Sequence, residues 1–184
     1  MSSEMRAQIL SAAQAVVQAQ GYGAMSFRDL AAAVGIKSAS VHYHFPTKGD
    51  LGAALAGLYT ERARADLDAV LAETSERGER LQRYANLFRK ALTDGNRLCL
   101  ISMLSAEIGD LPDAVRAEVE AFADLNVSWL AHVLAPNAPD MAADQARAIY
   151  AAVAGAQLVA RTRADVATFD IIIESYRKAG LIPC

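Results

Sequence analysis

The chain has 184 residues, of which 53% are apolar and 21% charged, and a formal net charge of −3. This composition excludes a disordered chain and suits one small unit beside one larger, well-packed body. Residues 1–50 carry four basic and three acidic side chains, which leaves 14 basic against 18 acidic for the remainder. A broad cationic field is thereby excluded, and any contact with a polyanion must come from a few placed groups. Cys99 and Cys184 make no disulfide framework, the opening Met1-Ser-Ser-Glu-Met-Arg is too polar for a signal peptide, and no run of roughly twenty apolar residues is present to span a bilayer. The expectation is a cytoplasmic protein without membrane contact, in a reducing compartment.

Ile9, Leu10, Ala13, Val16 and Val17 recur at three- and four-residue spacing and predict a first helix that stops at Gly21. Ser26, with Asp29 three residues on, predicts a reciprocal cap at the start of a second helix, whose apolar face is Leu30, Ala31 and Val34. Gly35 supplies a bend, and a third helix starts near Ser38 with Val41 and Phe45 facing inward. The spacing of Ala31, Gly35 and Val41 fits a helix-turn-helix. Lys37, Ser38, Ala39, Ser40, His42 and Tyr43 are then left facing outward, a set of donors and small groups suited to a major groove.

Thr47 with Asp50 predicts a cap for a long helix through Leu51, Leu55, Leu58 and Tyr59 to about Glu73. After a polar break at 75–78, Leu81, Tyr84, Ala85, Phe88 and Leu92 mark an amphipathic helix stopped by Asp94-Gly95-Asn96. The segment from Leu98 to Ile108 is apolar nearly all round and is expected to be the central buried helix of the body. Beyond Pro112, the positions Val115, Val119, Phe122, Trp129 and Val133 share one face with Asn126, a buried amide in need of a partner. A loop at 135–140 leads to an alanine-rich helix from Ala142 to about Arg161 and a last helix from about Asp165 to Ala179. These two helices carry more apolar surface than one small core covers, so they are expected to pair with their two-fold mates as a four-helix dimer interface.

The stretch Gly21-Tyr22, the alanine-rich second helix and above all Ser40-Val-His-Tyr-His-Phe-Pro-Thr-Lys48, followed by Leu51, closely resemble the DNA-binding domain of TetR/AcrR-family transcriptional regulators. The resemblance covers the N-terminal fifty residues, and Gly49 stands where an acidic residue is often found. It implies an all-α protein of about nine helices, with a three-helix DNA-binding domain at 1–50 and a helical ligand-binding and dimerisation domain at 51–184. It further implies a homodimeric repressor that binds a palindromic double-stranded operator and is released by a small-molecule inducer. The helix opened by Thr47 would then link the reading head to the body.

Ser38, Ser40 and His42 are the expected readers of base edges, with Ala39 placed for a thymine methyl and Lys37 for either a base or a phosphate. Arg28, Tyr43, Thr47 and Lys48 are the expected phosphate contacts, and the matching family positions support Tyr43 and Lys48 most. For the inducer, Tyr84, Phe88, Cys99, Met103, Phe122, Asn126 and Trp129 are the candidates, each weighed against an ordinary place in the core. Cys99 follows a helix start near Arg97, which favours a reactive thiol open to an electrophile; Leu98, Leu100 and Ile101 favour an inert buried one. His42 and His44 point to different sides of a helix and have no acidic or cysteine partner nearby, so no metal and no cofactor is expected. Without a phosphate loop or a nucleophile motif, an enzyme is not expected either. The competing reading is a helical protein-interaction module whose helix-turn-helix binds no DNA.

Overall fold

The protein, described by a computed structural model over residues 2–183, contains nine α-helices and no strand among the described residues. Met1 and Cys184, both weighed above, lie outside that range. The helices are α1 (Ser2–Gln20), α2 (Phe27–Val34), α3 (Ser38–His44), α4 (Lys48–Glu73), α5 (Arg77–Thr93), α6 (Leu100–Ala106), α7 (Asp113–Leu134), α8 (Ala143–Arg163) and α9 (Val166–Lys178). Short 3₁₀ turns at Ile108–Asp110 and Pro139–Ala142 precede α7 and α8. None of these helices is long and apolar enough to cross a membrane.

The chain divides into two compact units, the first running to Glu61 and taking in Cys99–Ala121, the second made of Arg62–Leu98 and the chain from Phe122. In the first unit the stripe Ile9, Leu10, Ala13 and Val17 of α1 is buried with Leu30, Ala31, Val41, Phe45, Leu51 and Leu55. The bend between α2 and α3 is made by Gly35 at φ 72°, ψ 31°, the left-handed position a β-carbon disfavours; its N–H and that of Ile36 return to the carbonyls of Ala32 and Ala31.

Two caps built from the same sequence pattern differ. At α4 the box is complete: the N–H of Thr47 donates to Asp50 Oδ2 at 2.9 Å, and the N–H of Asp50 donates to Thr47 Oγ1 at 3.1 Å. At α2 the expected box does not form. Ser26 has an N-cap backbone, φ −127° and ψ 132°, but its hydroxyl makes no cap bond, and the Asp29 carboxylate faces Arg28 Nε at 3.4 Å instead.

The segment expected as the central helix of the body does not take that place. It is a seven-residue helix, α6, whose buried residues Leu100, Ile101 and Leu104 belong to the first unit, where it packs on α1. Ser105, Ala106 and Ile108 are exposed, so the run is apolar in composition without being buried all round. Its C-cap is Glu107, whose carboxylate accepts the N–H groups of Tyr22 and Gly23 in the turn after α1.

The second unit follows the helical spacing closely. Leu81, Tyr84, Ala85, Phe88 and Leu92 are the buried residues of α5, and Phe122, Asn126, Trp129 and Val133 line the buried side of α7. α8 packs on α9, and α5 on both, burying Ala146, Ile149, Val153, Ala156, Ala160, Phe169 and Ile173. Asp165 caps α9 with its carboxylate, which accepts the N–H groups of Ala167 and Thr168; the hydroxyl of Thr168, then the Ala167 N–H, hold its pKa below the usual aspartate value.

Candidate nucleic-acid interface

α3 is anchored through its inner side by Val41, fully buried, and by Phe45 at its C-cap, and it turns the remaining positions outward. Lys37, Ala39, His42 and Tyr43 are exposed and Ser38 and Ser40 half-buried; Tyr43 is 80% exposed, unusual for so large a ring. No hydrogen bond among the described residues ties down the side chains of Lys37, Ser38 or Ser40, so their donors remain available to a partner. His42 is steadied without being covered: its ring meets Phe27 edge-on at 4.6 Å, and Nδ1 lies 3.4 Å from the carbonyl of Pro46. His44 sits half-buried between the rings of Tyr43 and Phe45.

The four expected phosphate contacts are placed less uniformly. Arg28 is fully in solvent beside Asp29 and Tyr43 is open, whereas the hydroxyl of Thr47 is spent on the α4 cap. Lys48 points back to the turn after α1: Nζ donates to the carbonyl of Gly23 at 3.0 Å and lies 4.7 Å above the ring of Tyr22. Burial pushes the pKa of the Tyr22 phenol up. One further cation had no signal in the spacing: the Arg6 guanidinium stands 5.1 Å over Phe45, next to the end of α3.

The candidate inducer residues fall in both units. Tyr84, Phe88, Phe122, Asn126 and Trp129 belong to the second, and Cys99 and Met103 to the first. Within the second unit Tyr84 stacks on Trp129 at 5.5 Å and meets Phe88 at 5.4 Å. The buried amide has protein partners on both sides: Asn126 Oδ1 accepts the Tyr84 hydroxyl at 3.0 Å, and Nδ2 donates to the Phe122 carbonyl at 2.8 Å. The Trp129 indole N–H donates to the carbonyl of Leu67 at 3.1 Å. Cys99 is 3% exposed, and desolvation raises its thiol pKa despite hydrogen bonds with Ser102 and Tyr59, the reverse of what a reactive thiolate needs. An open cleft of about 560 Å³ lies elsewhere in the second unit, between Ser75–Arg80 and the residues Val133, Leu134 and Pro136.

Residues 9–55 match the family described as bacterial regulatory proteins, tetR family. Over its whole length the chain is similar to a TetR transcriptional regulator from Legionella pneumophila, with 31% identity, 94% of this chain and 95% of that one covered, and a TM-score of 0.87. It is likewise similar to a transcriptional regulator of the TetR family from Agrobacterium tumefaciens, with 30% identity, 97% and 98% covered, and a TM-score of 0.90. The chain belongs to the TetR family. As a TetR-family transcriptional regulator it has the expected architecture, an N-terminal helix-turn-helix domain followed by a helical domain. The fold alone does not carry the function: the superantigen PfiT, 23% identical, shares it with a TM-score of 0.70 over 92% of this chain. Among curated proteins none matches.

Proposed function

We propose that the protein is a homodimeric repressor that reads a palindromic operator with α3 of each subunit and is released by a small molecule. The observation that carries this reading is the outer face of α3, where Lys37, Ser38, Ser40, His42 and Tyr43 present donors to solvent on a helix locked from behind by Val41 and Phe45. Ser38, Ser40 and His42 read base edges, Ala39 meets a thymine methyl, and Arg28, Tyr43, Lys37 and Lys48 hold phosphates. Thr47 contributes through the cap that sets the start of α4 rather than through a free hydroxyl. The division of labour is DNA binding by residues 1–50 and ligand binding with dimerisation by residues 51–184.

Dimerisation through α8 and α9 is supported by the large apolar side chains these helices leave in solvent: Leu158 is 56%, Val159 46% and Ile171 65% exposed. Ala151 and Gly155, on the same side of α8 as Leu158, let a partner helix approach closely. Such a dimer places two recognition helices about 34 Å apart, one turn of duplex. The inducer enters among Tyr84, Phe88, Phe122, Asn126 and Trp129 by displacing the Tyr84–Asn126 bond, so that it must supply its own donor to the amide oxygen. The buried thiol of Cys99 favours a non-covalent inducer over an electrophile.

Selection of bound duplexes from a random DNA pool tests the reading. A two-fold symmetric sequence should be enriched, and its affinity should fall steeply with salt. Lys48→Ala should weaken every sequence alike and lower the salt slope by about one, whereas Ser40→Ala and His42→Ala should change which sequences are preferred. Equal losses on every duplex for the Ser40 and His42 variants would remove them as readers.

A further inference from the structure

The turn between α1 and α2 is held by a carboxylate from a distant part of the chain. Glu107, immediately after α6, accepts the backbone N–H of Tyr22 on Oε1 at 2.8 Å and that of Gly23 on Oε2 at 3.0 Å. Both N–H groups lie beyond the last turn of α1, where the helical ladder ends with Gly21 donating to Val17. One ionised group thus satisfies two consecutive donors, an arrangement stronger than a pair of neutral bonds.

The backbone is shaped around that carboxylate. Gly21 has φ +89°, and a β-carbon added there would lie 2.2 Å from Glu107 Oε1. Glycine is favoured at position 21 by the left-handed dihedral, and a larger residue there would also have to push the Glu107 carboxylate aside. On the far side of the same turn, the Gly23 carbonyl accepts Lys48 Nζ at 3.0 Å, and the ammonium rests over the Tyr22 ring. Lys48 is the first residue of α4, four residues past the end of α3. The contacts therefore form a continuous path: Glu107, the N–H groups of Tyr22 and Gly23, the Gly23 carbonyl, Lys48, the exit of the recognition helix.

We infer that Glu107 is a positioning residue for DNA binding: its carboxylate fixes the α1–α2 turn, and the turn holds the ammonium of Lys48, four residues past the end of α3. The inference rests on the DNA-binding reading above and names a control point for it, because any movement of α6 against α1 draws the carboxylate away from its two donors and frees Lys48. Simple charge bookkeeping predicts the opposite sign from positioning. Removing a negative charge from the reading head should strengthen attraction to a polyanion, whereas loosening the turn should weaken it.

The test uses the full-length protein and the duplex that the wild type selects from a random pool, with binding followed by fluorescence anisotropy and folding checked by circular dichroism. Glu107→Ala should bind about tenfold more weakly at constant salt, as expected for losing a charge-assisted bidentate contact. Glu107→Gln, which keeps the size and one acceptor, should fall between it and wild type and carries the test should the alanine variant not fold. In a Lys48→Met background the same substitutions should have little further effect, since the path they act through is already cut. A purely structural role would lower the melting temperature and leave the affinity of the folded protein unchanged. That result, tighter binding, or losses fully additive with Lys48→Met would overturn the inference while the wild type still binds its duplex. A wild-type protein that enriches no duplex would instead sink the DNA-binding reading, and the inference with it.

Discussion

The outer face of α3 and the aromatic cluster of the second unit treat polar groups in opposite ways. On α3, Ser38, Ser40, Lys37 and Tyr43 keep their donors turned to solvent on a helix pinned by two buried side chains. Among Tyr84, Asn126 and Trp129, the hydroxyl, the amide and the indole N–H are all consumed by partners inside the unit. The first arrangement contributes little to stability and leaves its donors ready for a partner; the second contributes much to stability and admits a ligand only by exchange of an existing bond. A surface built to bind from outside and a core built to hold itself are thus distinguishable by where the hydrogen bonds go.

The largest effect that would sharpen this contrast is expected at Trp129. Trp129→Ala removes a buried ring and the bond to the Leu67 carbonyl and should cost about 3–5 kcal/mol in urea unfolding. Asn126→Leu, which removes the acceptor of the Tyr84 hydroxyl, should cost about 1–3 kcal/mol in the same assay. Ser40→Ala and His42→Ala should shift the discrimination between duplexes by about 1–3 kcal/mol while changing stability by less than about 0.5 kcal/mol. A His42 variant that unfolds early and binds every sequence as before would erase the contrast.

Leu158→Glu should convert the dimer to monomers in light scattering with the melting profile of the subunit little changed; retention of the dimer would move the interface away from α8. At Cys99 a thiol reagent should find nothing to react with at neutral pH until the protein unfolds, because burial both hides the sulfur and raises its pKa. The smallest effect is on pH. Thr168 and Ala167 lower the pKa of Asp165, and Thr74 and then Arg83 lower that of Glu79, so both carboxylates are more acidic folded than unfolded. Their contribution is complete above the unfolded values, about pH 4–5, and is lost as the pH falls through the lowered native ones. Thermal unfolding followed from neutral to acid pH should therefore show a slight loss confined to the acid end.

Much of this was legible from periodicity. The buried faces of α5 and α7 are the residues that the three- and four-residue spacing selects, and the bend at Gly35 follows from its place between two short apolar patterns. The rest escaped for physical reasons. The pattern of Ser26 with Asp29 matches that of Thr47 with Asp50, yet only the second closes, because a cap depends on where the exposed carboxylate turns and Asp29 turns toward Arg28. The placement of α6 and the role of Glu107 depend on contacts 84 and 85 residues apart, for which no local spacing carries a sign. The motif marks Lys48 as a contact of the reading head, but its bond to Gly23 is likewise visible only in three dimensions.

The measurement that bears most directly on the central claim is enrichment of duplexes from a random pool by the wild-type protein, repeated with Ser40→Ala and His42→Ala. The account predicts one symmetric sequence family for the wild type, with half-sites one helical turn apart, and altered bases within each half-site for the variants. Enrichment of no sequence, or of the same sequence by all three proteins, would contradict it.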